Sequence, residues 1–240
     1  MTEREMILQK AKVWFKEDIA QNHIKNTKKL ANIKEFTINP FLLTYLSNFL
    51  EGNSNPKSIA KALIYPRVLG TSINTSFGGQ IQKFTSSVLS SYASTTSGID
   101  IEFIDQVDGE KKYCQLKSGP NTINKDDVET IAGHFKSIIS LAKTNNLKLG
   151  FNNLLVGVIY GEPNELSAHY RRIATQYHHE VIIGKNFWHR LTGDESFYSD
   201  LIVTIAEVAT EANFKHELDE VMEQLSESEY IQTLAKELKK

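Results

Sequence analysis

The chain has 240 residues, 40% hydrophobic, 23% charged and 10% aromatic, a composition that can build a core and excludes a disordered or fibrous protein. A formal net charge of -2 and a single cysteine exclude a disulfide framework, a Cys-rich zinc site and a protein that wraps nucleic acid by bulk charge. No apolar run approaches the roughly 18 residues of a membrane span, and the opening MTEREMILQK lacks the apolar block of a signal peptide, so a cytoplasmic protein is expected.

Residues 4–20 carry Ile7, Leu8, Ala11, Val13, Trp14, Phe15 and Ile19 near helical spacing. Asn39-Pro40 introduces the apolar helix FLLTYLSNFL, which stops at Glu51-Gly52-Asn53. Ser54-Asn55-Pro56 caps a second helix ended by Pro66. Thr71 to Gly79, rich in Ser, Thr, Asn and Gly, reads as a loop. A helix follows with Ile81, Phe84, Val88 and Leu89 on its buried side, then two alternating runs, GIDIEFIDQV and KKYCQLK, joined through Asp108-Gly109. A helix over about 125–145, capped by Asn124 or by Lys125-Asp126-Asp127, leads to the strand LLVGVIYG. HYRRIATQY is helical, VIIG a short strand, NFWHRLTG a helix, and the acidic remainder helical with a break near Asn213. This order gives an α/β core with a mixed sheet. Three regions are expected: a helical part over 1–65 with an excess of Lys and Arg, a core over 66–197, and an acidic helical part over 198–240.

The two alternating runs hold the most chemistry. Period-2 alternation puts Asp100, Glu102 and Ile104 on one face of the first, opposite Ile99, Ile101 and Phe103. In the second, Tyr113, Gln115 and Lys117 share a face opposite Cys114 and Leu116. A type I′ turn at Asp108-Gly109 would set Asp100 across from Lys117 and Glu102 across from Gln115, with Cβ atoms about 5 Å apart. Phosphodiester hydrolysis uses such a cluster: a carboxylate to fix Mg²⁺, a second oxygen ligand, and an ammonium to orient the attacking water and meet charge on phosphorus. The same geometry fits a cross-strand Asp–Lys ion pair on a solvated face, and the hairpin alone does not choose between them.

SGIDIEF followed by YCQLKSG resembles the PD-(D/E)xK nuclease pattern. With NPFLLTYLSNFLEG, IAKALIYPRVLGTSINTSFGGQIQKF, QLKSGPNTINKDDVETI, VGVIYGEPNELSAHYRRI and NFWHRLTG, most of the chain resembles type II restriction endonucleases of the PmeII family. The resemblance implies a restriction-endonuclease-like core with a mixed central β-sheet flanked by helices, plus helical N- and C-terminal parts. It implies Mg²⁺, with Mn²⁺ as a substitute, held by the side chains of Asp100 and Gln115 and the backbone carbonyl of Leu116, with Lys117 activating the water. It further implies a homodimer that cuts both strands of double-stranded DNA at a twofold-symmetric site, leaving 5′-phosphates, with a cognate DNA methyltransferase as genetic partner. The sequence departs from the usual pattern at Gln115, where Asp or Glu is the rule; glutamine resembles the variant of Mrr-like nucleases. Whether Glu102 or an upstream side chain supplies the missing charge stays open. The alternatives are a modification-dependent or repair nuclease of the same core, and a DNA-binding protein without catalysis.

Gln80 and Gln82, on the helix entering the hairpin, are candidates for a supporting role beside the metal, against a plain solvated helix face. Lys83 and Arg67 are candidate phosphate contacts. Ser118, Asn121, Thr122, Asn124 and Lys125 directly follow the lysine strand and suit DNA backbone or bases, or equally a turn and helix cap. Arg171 and Arg172 read as surface residues. His178-His179-Glu180 makes a poor chelate, since neighbours on a strand point to opposite faces, and His216-Glu217 lacks the second histidine of HExxH. Cys114 reads as core. No Walker loop or dinucleotide fingerprint is present, so no organic cofactor is expected.

Overall fold

Capping chemistry sets where several helices begin. Asn39 accepts the N–H groups of Phe41 and Leu42, Asn55 that of Ser58, and Asn124 those of Asp126 and Asp127. In the computed structural model, which describes residues 1–146, 148–212 and 214–238, the chain runs in the following order. Helix α1 (Glu3–Trp14) continues as a π-helical segment, Phe15–Ala20, into α2 (Gln21–Lys29). Next are α3 (Pro40–Glu51) and α4 (Pro56–Pro66), a π-helical segment over Arg67–Ser72, α5 (Ile73–Gly79) and α6 (Ile81–Ser87). Then follow β1 (Ile101–Ile104), β2 (Lys111–Lys117), α7 (Lys125–Thr144), β3 (Leu154–Val158), α8 (Ala168–Gln176), β4 (Glu180–Ile183) and α9 (Gly184–Thr192). Helices α10 (Phe197–Ala212), α11 (Phe214–Ser226) and α12 (Glu229–Glu237) close the chain. The break expected near Asn213 falls at a position outside the described residues.

Residues 71–79 are helical, not the expected loop. Ser, Thr, Asn and Gly have weak helix propensity, but α5 packs against α2, and packing overrides so weak a preference.

The chain forms two units, one of residues 1–14 and 80–205, the other of 15–79 and 206–240. These limits differ from the boundaries expected at 65/66 and 197/198, for reasons visible in each unit. In the first, Trp14 of α1 packs edge-on against Phe84 of α6, centroids 4.9 Å apart, and Arg4 of α1 is paired with Asp194 and Asp200. In the second, Leu43, Ile59 and Ile64 share one core with Met222, Leu225 and Leu234.

The first unit is built on a four-stranded mixed sheet, ordered β1-β2-β3-β4, antiparallel at β1/β2 and parallel at the other two junctions. Every residue of β3 is buried, as befits a parallel strand covered on both faces. Val128, Ile131 and Phe135 of α7 pack with Leu154, Val156 and Val158 of β3. This anchors α7 over the sheet and presents one of its flanks to the end of β2.

Candidate active site

The β1–β2 hairpin pairs Ile101 with Cys114, Glu102 with Tyr113, Phe103 with Lys112 and Ile104 with Lys111. The expected pairing of Asp100 with Lys117 and of Glu102 with Gln115 is therefore wrong by two residues. The cause is the connection. Asp108-Gly109 forms no two-residue turn; residues 105–110 make a wider loop closed by Asp105 N–H to Glu110 O (2.9 Å) and Gly109 N–H to Asp105 O (2.8 Å). Asp105 is fully buried there and ion-paired to Arg190 of α9. A shift of two preserves the face of every side chain, whereas a shift of one would reverse them all. Asp100, Glu102, Gln115 and Lys117 thus remain on one face, and Ile101, Phe103, Cys114 and Leu116 are buried on the other. Ile99, expected with the latter, packs instead with Ile131 of α7 and Val156 and Val158 of β3, since it lies in the turn before β1 where strand alternation has not begun.

Asp100 is held at three points just before β1. Its N–H donates to Cys114 O (3.0 Å), its carbonyl accepts from Ser94 N–H (3.1 Å), and its Oδ2 accepts from Leu116 N–H (2.7 Å). Burial pushes its carboxyl above the ordinary range, against the Leu116 N–H and the nearby Lys117 and His134, which pull it down. A carboxylate in that position gains most from a cation. Gln115 is buried, and its Nε2 donates to the carbonyl of Gly98 and to Nδ1 of His134 (2.8 Å). Its Oε1 is buried with no hydrogen-bond partner, a costly condition for an amide oxygen.

Backbone alternation supplies a third oxygen. The carbonyl of Lys117 accepts from Ile159 N–H (3.0 Å) on the β3 side, so that of Leu116 points the other way, toward Asp100, as the Leu116 N–H already does. Lys117 is half-buried, and its ammonium makes no hydrogen bond or ion pair among the described residues. The alternative of a structural cross-strand Asp100–Lys117 pair is not formed. Among the described residues no three His, Cys, Asp or Glu side chains gather as a metal cluster. A cation here would rest on one carboxylate, one unpartnered amide oxygen and one backbone carbonyl. These are hard oxygen donors of the kind Mg²⁺ takes, and they leave room for water in its shell.

Glu102 is engaged elsewhere. Its carboxylate accepts from Ser94 Oγ (2.6 Å) and Thr96 Oγ1 (2.9 Å) and pairs with Lys111 (2.7 Å). Burial works against its charge, yet these partners hold its carboxyl below the usual range. Gln82 and Lys83 are exposed on α6, and Gln80 is half-buried at its start. Arg67 lies in the helical unit, donating to Glu35 O (3.2 Å) with its guanidinium over the Phe36 ring. Ser118 is buried. Thr122 bonds Gly119 O (2.8 Å) and Tyr170 (3.1 Å), and Asn124 caps α7. Asn121 and Lys125 are exposed beside them. Arg171 and Arg172 are tied to Leu166, Gln176 and Glu129.

His134 escaped the sequence reading, though a signal was present. It lies with Ile131, Phe135 and Ile138 at i, i+3, i+4 and i+7 spacing on α7, a polar residue within an apolar stripe. Arg190 and the buried Lys112, which pairs with Asp108 (2.6 Å), were missed as well, since their partners are set by the loop.

A family model described as type II restriction endonuclease EcoO109I matches residues 9–213. That span takes in every residue of the site, both faces of the hairpin and His134. Among curated proteins, none matches the chain.

Proposed function

The chain belongs to the family of the type II restriction endonuclease EcoO109I, a family of nucleases that hydrolyse DNA, and we propose that it is itself a magnesium-dependent, site-specific endonuclease cutting both strands. The observation that carries this reading is the buried, unpartnered Oε1 of Gln115 beside the pinned carboxylate of Asp100 and the unpaired Lys117. Asp100, Gln115 Oε1 and the Leu116 carbonyl would hold Mg²⁺. When bound, the ion supplies Lewis-acid stabilisation of the scissile phosphate and lowers the pKa of a coordinated water. Lys117, with three ammonium donors and no partner to give up, orients the attacking water and meets the charge that builds on phosphorus. Asn121 and Lys125, exposed just past Lys117, contact the DNA backbone. Products carry 5′-phosphates, Mn²⁺ substitutes for Mg²⁺, and a cognate methyltransferase protects the host DNA in the cytoplasm.

Cutting two strands at a symmetric site calls for two active sites related by a twofold axis. Helix α3 offers a surface for that pairing. Phe41, Leu42, Tyr45, Leu46, Phe49 and Leu50 form one exposed apolar stripe, Phe41 at 85% and Phe49 at 77% exposure, with Tyr45 stacked on Phe49. A contiguous patch of this kind marks an interaction site, and we assign it to the homodimer.

The test is a digest of unmethylated phage DNA by the purified protein, with Mg²⁺ and with EDTA. Discrete bands that require the metal are expected. Intact DNA across salts and divalent metals would overturn the reading; cutting confined to methylated substrate would replace it with a modification-dependent nuclease.

A further inference from the structure

Glutamate and glutamine place different demands on a metal site. The two oxygens of a carboxylate are equivalent, so either serves a cation. An amide has one useful end; turned the wrong way it offers two N–H donors and repels the ion. A glutamine ligand therefore needs something to fix its orientation.

The surroundings of Gln115 do this. The Gly98 carbonyl can only accept, so the amide end facing it must be Nε2. The second N–H of Nε2 donates to His134 Nδ1, the two nitrogens 2.8 Å apart. With both donors spent, Oε1 is left buried and unbonded. Gly98 also makes room for the ring: its φ is +80°, and a Cβ there would lie 2.6 Å from His134 Cγ. Three separate parts of the chain thus converge on one amide: the turn before β1, strand β2 and helix α7.

We infer that His134, together with the Gly98 carbonyl, is a positioning residue that locks the Gln115 amide with its oxygen toward the metal, replacing the orientation-free acid of other nucleases. The inference rests on the metal site proposed above. It makes the histidine necessary only while residue 115 is an amide. Ligand-orienting partners of this kind are worth about ten- to a hundredfold in metal affinity.

The experiment is a double-mutant cycle in the full-length protein, reading Mn²⁺ affinity by calorimetry and electron paramagnetic resonance. His134→Ala should weaken Mn²⁺ binding by about tenfold or more. His134→Asn, which keeps an acceptor near the Nδ1 position, should restore most of it. In the Gln115→Glu background the same His134→Ala change should alter affinity by less than about twofold, because a carboxylate needs no lock. Equal losses in both backgrounds would overturn the inference, since they would mark His134 as merely structural. No loss in either would overturn it too. Failure of the metal-site reading is separately visible: wild-type protein would not bind Mn²⁺, or Asp100→Asn would bind it unchanged. Should His134→Ala not fold, ¹⁵N spectra of the wild-type imidazole decide the matter. Nδ1 unprotonated and accepting supports the lock; Nδ1 protonated ends it.

Discussion

The carboxylate of Asp105, wholly buried where the hairpin turns, is closed on the guanidinium of Arg190, 85 residues further along the chain. Arg190 also reaches Asp108 (3.2 Å) and Glu180, so one arginine ties the hairpin loop to the edge strand β4. This pair fixes the wider loop, and with it the register that sets Asp100 beside Gln115. A buried charge left with no partner costs about 3–5 kcal/mol, and Arg190 keeps Asp108 and Glu180 when Asp105 is removed. Asp105→Ala should therefore lower the unfolding free energy in urea titration by less than that, about 1–3 kcal/mol. Asp105→Asn with Arg190→Met should recover part of the loss, since the charges it leaves without Arg190, on Asp108 and Glu180, are partly exposed.

Lys117 has no partner to lose. Lys117→Ala should therefore leave the thermal midpoint within about 1 °C and DNA binding in Ca²⁺ within about twofold, because surface-like truncations away from special contacts change little. Cleavage should fall by about a thousandfold, the scale of a lost charge-stabilising or proton-handling group. Gel-shift and single-turnover cleavage assays on one substrate check both halves, and loss of folding would point back to a structural lysine.

Asp100 carries the opposite burden. Burial already disfavours its charge, so Asp100→Asn, which keeps an oxygen to accept from Leu116, should leave metal-free protein at least as stable as wild type. The rise in thermal midpoint that Mg²⁺ gives the wild type should vanish in the variant. Thermal melts with and without the ion decide it.

On α3, Tyr45→Glu with Phe49→Glu puts two carboxylates into the exposed stripe. Light scattering should show a monomer in place of a dimer, with the melting temperature little changed because neither side chain is buried. Double-strand cutting should fall while residual nicking persists.

Asp194 gives the pH dependence. Hydrogen bonds from Arg4 and then from Ser196 hold its pKa down to about 2. A carboxyl depressed on folding stabilises the protein above its unfolded pKa of about 3.9, and that contribution is lost as pH falls through the folded value. The stability gap between wild type and Asp194→Asn should be full above about pH 4.5, shrink between about 4 and 2 and close below 2. Acid titration of Trp fluorescence measures it; a gap that widens toward low pH would contradict the pairing.

The sequence carried the faces of the hairpin but not its register. Alternation is local, and Asp100, Gln115 and Lys117 share a side for any even shift. The register depends on Asp105 finding Arg190, a contact that spans β2, α7, β3, α8 and β4. Helix ends at Asn39, Asn55 and Asn124 were legible because caps act over three residues. The helicity of residues 71–79 was not, because it rests on α2, more than forty residues earlier. His134 stood in plain sight within an apolar stripe, but its role needs Gly98 and Gln115 beside it.

The helical unit draws its core from two stretches of sequence, Leu43, Ile59 and Ile64 before the strands in the chain and Met222, Leu225 and Leu234 after them. On the ribosome, half of that core emerges before β1 and half only after α9. Asp100, Gln115, Lys117 and all four strands of their sheet are thus synthesised while the helices around α3 still wait for their packing partners, so the surface proposed for pairing two copies is completed after the site proposed for chemistry.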